Sequence, residues 1–268
     1  MKKLDLLNPK NDYVFKRIFG HKGNEKITKA FLEDITKTKI NKIELIEDAN
    51  LGRDLTDDKI GVLDVKAVID NNIQADIEMQ IAKNKDIISR ILFYWSKMYI
   101  STVHKGEKYD KLKRTIIILI ADFNLEELKE TKRYLTKWQL KDENEAKLVL
   151  TKDIEIYIIE LPKYKNTHND KLDNWIQFIK NYENMEEFEM EKEVKEAYEC
   201  LKEISSDEHE RRLAELRHKY IWEMNSAKEY GKDENKKEVA RRMLDLNLDI
   251  ELIMKVTELT KDEIEELK

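Results

Sequence analysis

Two acids in a stretch of alternating sequence are placed so that together they could hold a metal ion. Residues 62–69 (Val-Leu-Asp-Val-Lys-Ala-Val-Ile) and 73–81 (Ile-Gln-Ala-Asp-Ile-Glu-Met-Gln-Ile) each repeat with a period of two and are separated by Asp70-Asn71-Asn72. This is the pattern of a β-hairpin. Leu63, Val65, Ala67 and Ile69 form one apolar face, Ile73, Ala75, Ile77 and Met79 the other, and both must reach the same core. Antiparallel pairing achieves this when partner numbers sum to 142. Asp64 then lies opposite Glu78, Lys66 opposite Asp76, and Gln80 one step beyond Glu78 along the strand. Residues so opposed have Cβ atoms about 4.5–5.5 Å apart, where like charges destabilise, so Asp64 and Glu78 call for a cation. Paired carboxylates with room for water and a phosphate suit Mg²⁺ or Mn²⁺, which activates water and stabilises charge developing on a scissile phosphate. The same repulsion predicts that Glu78→Gln leaves the metal-free protein as stable or more stable. In a chain with 40% charged residues, two acids on a hairpin also fit a solvated face. Lys66 opposite Asp76 reads as an ion pair flanking the site.

The elements that must position this hairpin are legible around it. After Asn8-Pro9-Lys10-Asn11-Asp12, the residues Val14, Phe15, Ile18 and Phe19 repeat at helical spacing, and a second amphipathic helix runs from Ile27 to Ile35. Ile43-Glu-Leu-Ile-Glu47 alternates like a short strand. From Asp86 to about His104, Ile87, Ile88, Ile91, Leu92, Tyr94, Trp95, Met98 and Tyr99 return to helical spacing, followed by the apolar run Arg114-Thr-Ile-Ile-Ile-Leu-Ile-Ala-Asp122. A helix leading into an apolar strand covered on both faces predicts a parallel crossover. Further strands are expected over 132–161, clearest in Ile154–Leu161 and closed by Pro162.

Composition narrows the classes. With 268 residues, one substantial domain plus an appendage is expected. Only 6 Gly and 2 Pro argue against a Gly-rich β-sandwich and against phosphate-cradling glycine loops. No apolar run reaches the length of a membrane span, and the N-terminal residues break off before a signal-peptide core forms, so a cytoplasmic protein is expected. The single Cys200, in a helical context, reads as a buried thiol, and His21, His104, His168, His209 and His218 have no metal-binding spacing. The formal charge of -6 disfavours nucleic acid, yet residues 1–180 carry 34 Lys+Arg against 30 Asp+Glu and residues 181–268 carry 16 against 26. The acidity is therefore assigned to the C-terminal part.

Several ordered motifs then carry a likeness. Asp64 followed by Glu78-Met79-Gln80 on the next strand, with a helix before and a helix and strand after, resembles the PD-(D/E)XK nuclease core. Asn11–Gly20, Val62–Val65, Ile77–Gln80, Arg90–Trp95, Gly106–Tyr109 and Glu160–Lys163 more closely resemble the bacterial Rpn family of recombination-promoting nucleases and transposases, over roughly residues 5–165. The resemblance implies an α/β restriction-endonuclease-like core of helix, three strands, helix and strand, with an all-helical C-terminal extension. It implies Asp64 and Glu78 as ligands of Mg²⁺, or of Mn²⁺ or Ca²⁺, and DNA as the substrate. Gln80 stands where the wider superfamily has Lys, as is common in Rpn-type sequences; its amide orients water but carries no charge. Lys97 or Arg90 could supply that charge, or both could be surface residues. Asp12 either completes the metal shell through water or serves as a helix N-cap. Tyr94, Trp95 and Tyr99 fit a core better than base stacking.

The expected organisation is a nuclease-like domain over 1–165, a charged helical arm over 166–235 and a short helix-turn-helix-like tail over 236–268, broken near Asn247 and Leu259-Thr260. The tail resembles that of the same family, which often has Gly where this chain has Asn247 and Glu258. Its acidity favours subunit pairing, giving a homo-oligomer through the C-terminal helices, over insertion into a DNA groove. The function expected is a metal-dependent DNA endonuclease linked to recombination or mobile elements. The alternative is a catalytically degenerate nuclease fold that binds DNA or assembles.

Overall fold

The computed structural model describes residues 5–46, 65–83, 85–165, 170–186, 190–246 and 248–267. Two compact units divide the chain, Met1–Glu215 and Leu216–Lys268.

The first unit begins with helices α1 (Asp12–Phe19) and α2 (Glu25–Thr36). It continues through strands β1 (Ile43–Ile46), β2 (Val65–Ile69) and β3 (Ile73–Gln80), helix α3 (Ile87–Ile100), and strands β4 (Arg114–Ala121), β5 (Leu135–Gln139) and β6 (Ile154–Glu160). They form one six-stranded mixed sheet in the order β1-β2-β3-β4-β6-β5, in which β3, β4 and β6 are parallel. The β2–β3 register pairs Val65 with Ile77, Lys66 with Asp76, Ala67 with Ala75 and Ile69 with Ile73. These partners sum to 142, as the shared apolar face requires. Asp70 and Asn71 turn the hairpin at φ 49° and 61°, the two positive values that a tight turn matched to strand twist demands. Asp70 also accepts the backbone N–H groups of Asn41 and Lys42 at 3.1 and 2.7 Å, fastening the start of β1 to the turn.

The sheet carries two cores. On one face, Phe15, Ile18 and Phe19 of α1 and Phe31 and Leu32 of α2 pack on Val65, Ala67, Ile77 and Ile118. Gly20 ends α1 against this core, where an added Cβ would stand 2.9 Å from the Lys16 carbonyl oxygen and 3.3 Å from Val65. On the other face, Ile87 and Ile91 of α3 pack on Ile117, Leu119, Ile156 and Ile158. With a helix layer on each side, β4 is apolar at successive positions because both of its faces are buried.

Residues 170–206, expected to belong to the charged arm, instead complete the first core. Helix α4 (Lys171–Asn181) buries Leu172, Trp175, Ile176, Phe178 and Ile179, and α5 (Lys192–Ser206) buries Val194, Ala197, Leu201 and Ile204. Both are amphipathic; the charged residues of α5 form its solvent half, while Asp173 of α4 is buried and accepts the Tyr134 hydroxyl at 3.2 Å. The start of α6 (Glu208–Asp245) is fastened to α1 as well. Arg17 donates two bonds of 2.9 Å to Glu210, the Tyr13 hydroxyl donates to the same carboxylate at 2.9 Å, and the Asn11 amide donates to the Ala214 carbonyl. Of the ten surplus acids beyond residue 180, eight lie in 181–215, where 13 Asp+Glu face 5 Lys+Arg. The acidity thus belongs mainly to the first unit, and residues 216–268 carry 11 basic against 13 acidic residues.

In the second unit the end of α6 packs with α7 (Ile250–Thr257) and α8 (Lys261–Glu265) around Ala240, Ile253, Leu259 and Ile264. Asp249 caps α7, and Thr260 with Glu263 forms a capping box on α8. Glu258 closes α7 at φ 58°, the left-handed position that glycine fills at least cost; its carboxylate accepts from Lys236 at 2.9 Å. The expected break at Asn247 falls outside the described residues.

The edge strand β5 is held to β6 through a buried charge. Glu155, 2% exposed, accepts from Arg114 at 2.7 Å, Gln139 at 2.7 Å, Lys137 at 3.1 Å and the Tyr157 hydroxyl at 3.0 Å. Burial pushes the Glu155 carboxyl up, but the bonds from Arg114 and Lys137 outweigh it and hold the group below its ordinary 4.5. A carboxyl depressed in the folded state contributes stability that is complete above its unfolded value and lost as pH falls through the folded one. Glu155→Gln is therefore expected to flatten the loss of stability below pH 4.5, read from urea midpoints on an acid pH series. A wild-type slope retained in the variant would place the acid sensitivity elsewhere.

Candidate active site

The three parallel strands end together, with Gln80 beside Ala121 and Ala121 beside Glu160. The carboxyl ends of parallel strands are where open α/β sheets bind ligands. Glu78 reaches this edge on the α3 face of the sheet and is 2% exposed. The Gln80 amide donates to its Oε1 at 2.8 Å, and the Arg90 guanidinium, from the first turn of α3, donates to the same oxygen. A carboxylate this buried needs a counter-charge, and Arg90, with 21% of its side chain exposed, provides one from the rim.

Asp64, the other acid expected in the site, lies outside the described residues, as do Val62 and Leu63. The hairpin register runs as expected up to Val65 and Ile77. Of the two candidate cations, Arg90 is the one brought to Glu78; Lys97 is exposed two turns further along the same side of α3. Asn11 is the N-cap of α1, accepting from the N–H groups of Tyr13 and Val14, while Asp12 is the first helical residue. Asp12 is 8% exposed and its Oδ1 accepts the Tyr13 N–H at 2.8 Å. Tyr94 and Trp95 pack against the second core; the Trp95 indole donates to the Thr115 carbonyl at 3.0 Å and stacks on Tyr99, whose hydroxyl donates to Asp153. These aromatics dock α3 on the sheet.

A second charged group, not singled out from the sequence, lies at the same edge. Asp122 follows β4, donates its N–H to the Gln80 carbonyl at 2.9 Å, and accepts from the Lys10 ammonium at 2.7 Å. Lys10 thereby fixes the start of α1 beside the strand ends. Lys180 donates to the Leu161 carbonyl at 2.8 Å. Burial pushes its ammonium down, opposed by Asp122 and reinforced by Lys10. Next to them Glu160, fully buried, accepts the Leu125 N–H at 2.8 Å and the Lys163 ammonium at 2.6 Å, tying the loop after β4 to the end of β6. The signal for Asp122 was its position as the first polar residue after a buried apolar strand.

Two family models match the chain. The one described as PD-(D/E)XK nuclease family transposase covers residues 9–231. The chain belongs to this family. The model for the C-terminal HTH domain of the Rpn/YhgA-like nuclease family covers residues 233–268, which places the chain among Rpn-type PD-(D/E)XK proteins and identifies the helices packed around Ile253 as that domain. Neither the curated proteins nor the solved structures contain a match. The motif Asn11–Gly20, which carries much of the Rpn resemblance, has structural work here, burying Phe15, Ile18 and Phe19 and fastening the start of α6, at Glu210 and Ala214, to the core.

Members of the PD-(D/E)XK group are expected to use a divalent metal ion, and the donor chemistry at this edge fits one. Among the described residues no group of three or more His, Cys, Asp or Glu side chains forms a metal site. The Glu78 carboxylate and the Gln80 amide nevertheless supply hard oxygen donors, and a cationic guanidinium already rests on Glu78 Oε1.

Proposed function

We propose that the chain is a divalent-metal-dependent DNA endonuclease acting in recombination or on mobile elements. The observation that carries this is the Glu78 carboxylate, buried at the carboxyl end of a parallel strand and held by Gln80 and Arg90. Asp64 and Glu78 would hold the ion, Mg²⁺, Mn²⁺ or Ca²⁺, with Asp12 joined through water. When bound, the ion lowers the pKa of water and polarises the scissile phosphate. The remaining work falls to this chain's own side chains. Gln80 orients the attacking water with its amide, and Arg90 supplies the positive charge that Gln lacks where Lys is usual. Lys97, two turns on, meets a neighbouring phosphate of the same strand. The C-terminal domain adds a second DNA contact or pairs subunits into a homo-oligomer; its 7 Lys+Arg against 11 Asp+Glu over 233–268 favour pairing over insertion into a DNA groove. No helix among the described residues is long and apolar enough to cross a membrane.

The presence of Gln80 and the engagement of Glu78 by Arg90 favour one other reading, a nuclease fold that binds DNA without cutting it. Incubating the purified chain with supercoiled plasmid and Mg²⁺, Mn²⁺ or Ca²⁺ separates the two. Nicking that depends on the ion and falls at least about a hundredfold in Asp64→Ala is the expected outcome. A gel shift without cleavage in any ion would establish the binding protein instead.

A further inference from the structure

The exposed side of α3 carries a feature that neither packing nor metal binding uses. Residues 87–106 contain no Asp or Glu, in a chain where 56 of 268 residues are acidic. No other stretch free of acids is as long. Within it Arg90, Phe93 and Lys97 recur at the i, i+3, i+7 spacing of one helical stripe. Arg90 begins the stripe at Glu78, and Lys97 ends it in solvent. Between them Phe93 is 61% exposed, its only ring contact among the described residues being a T-shaped one with Tyr94 at 5.7 Å. The other aromatic residues of α3 are accounted for, Tyr94 and Trp95 by the second core and Tyr99 by Asp153. A phenyl ring left 61% exposed gains little from folding. Flanked by two cations on a helix that itself contains no acid, it has the character of a site for a polyanion that carries flat apolar rings.

We propose that Phe93 stacks on an unpaired base, with Arg90 and Lys97 holding the phosphates on either side of it, so that the preferred substrate is single-stranded or locally unpaired DNA. This rests on the nuclease reading given above. In a fully paired duplex the bases are already stacked on each other and offer Phe93 no face, so the ring discriminates by what it can reach. Phe93 is a specificity-determining residue in this assignment; it touches a base next to the reacting phosphate.

The test uses the full chain in EDTA, so that binding is read without cleavage, and fluorescence anisotropy on three labelled DNAs: a single strand, a duplex with a central bubble and a fully paired duplex. Phe93→Ala is expected to weaken binding of the single strand and the bubble about tenfold while changing the paired duplex by less than about twofold, and Phe93→Trp is expected to restore it. Because the ring is exposed, both variants should keep the wild-type melting curve. Equal losses on all three DNAs, no loss on any, or a change of oligomeric state by sedimentation without a change in affinity would overturn the assignment. Plasmid nicking by the wild type runs alongside. If it nicks with added metal but Phe93→Ala binds as the wild type does, only the stacking assignment fails. If the wild type neither binds these DNAs nor nicks, the nuclease reading fails with it.

Discussion

Glu78→Gln is expected to reduce plasmid nicking at least about a hundredfold, the scale on which removing one preorganised charged group from a phosphoryl-transfer site acts. Its effect on stability is the sharper test of the geometry. Relief of repulsion from a carboxylate directly opposite is worth about 0.2–1 kcal/mol. Against this, Arg90 loses a charge-assisted bond to a carboxylate that is 2% exposed, and such bonds contribute about 1.5–3 kcal/mol. The second term wins, so the variant should be destabilised by about 1–2 kcal/mol, opposite in sign to the expectation from the hairpin alone. Arg90→Ala should cost more, because it leaves Glu78 buried without its guanidinium. Urea unfolding of the metal-free proteins measures both. A Glu78→Gln protein more stable than wild type would mean that repulsion dominates and that Arg90 is not engaged in solution.

A chain ending at Asn166 is expected not to fold, whereas one ending at Glu215 should melt cooperatively. The shorter chain lacks α4 and α5, and with them Trp175, Phe178, Ile179, Val194 and Leu201, all buried against α1, α2 and the sheet. Losing a single buried Trp side chain costs about 3–5 kcal/mol, and a whole domain is stable by only about 5–15 kcal/mol. Losing two helices exceeds that margin. The cut at Glu215 retains Glu210 and Ala214, which hold Tyr13, Arg17 and Asn11 of the α1 segment. Circular dichroism and thermal melting of the two truncations decide this. A cooperative transition in the Asn166 chain would show that the sheet and its first two helices are self-sufficient.

Much of the scaffold was readable because its signals are local. Alternation over Val65–Ile69 and Ile73–Gln80 specified both the hairpin and its register, since a slip of one residue would turn an apolar face to water. The uninterrupted apolar run of β4 announced a strand covered twice. The assignment of α5 to a charged arm has an equally local cause. In α5 the buried residues Val194, Ala197, Leu201 and Ile204 are spread three or four positions apart among acids and lysines, so charge density masks the stripe unless helical spacing is applied residue by residue. Likewise the acidity attributed to the C-terminal part lies largely in residues 181–215, within the unit whose core α5 completes.

By itself the sequence determined which residues alternate and which repeat at helical spacing, and from those periods the order of elements and the hairpin register that sets Glu78 on the face away from Ile77, because side-chain direction follows backbone period within a single element; the family came from ordered motifs rather than from any period. Only the tertiary structure decided which cation meets that acid. Arg90 and Lys97 lie on the same side of one helix, and the choice between them depends on where α3 docks over β4, a packing set by Ile87 and Ile91 against Ile117 and Leu119 and by the Trp95 bond to Thr115. The same holds for Lys10, Asp122 and Lys180, which are far apart in the chain and meet only because α1 and α4 cross the ends of parallel strands. Contacts of that kind are fixed by the shape of buried surfaces many residues away, and no period in the sequence encodes them.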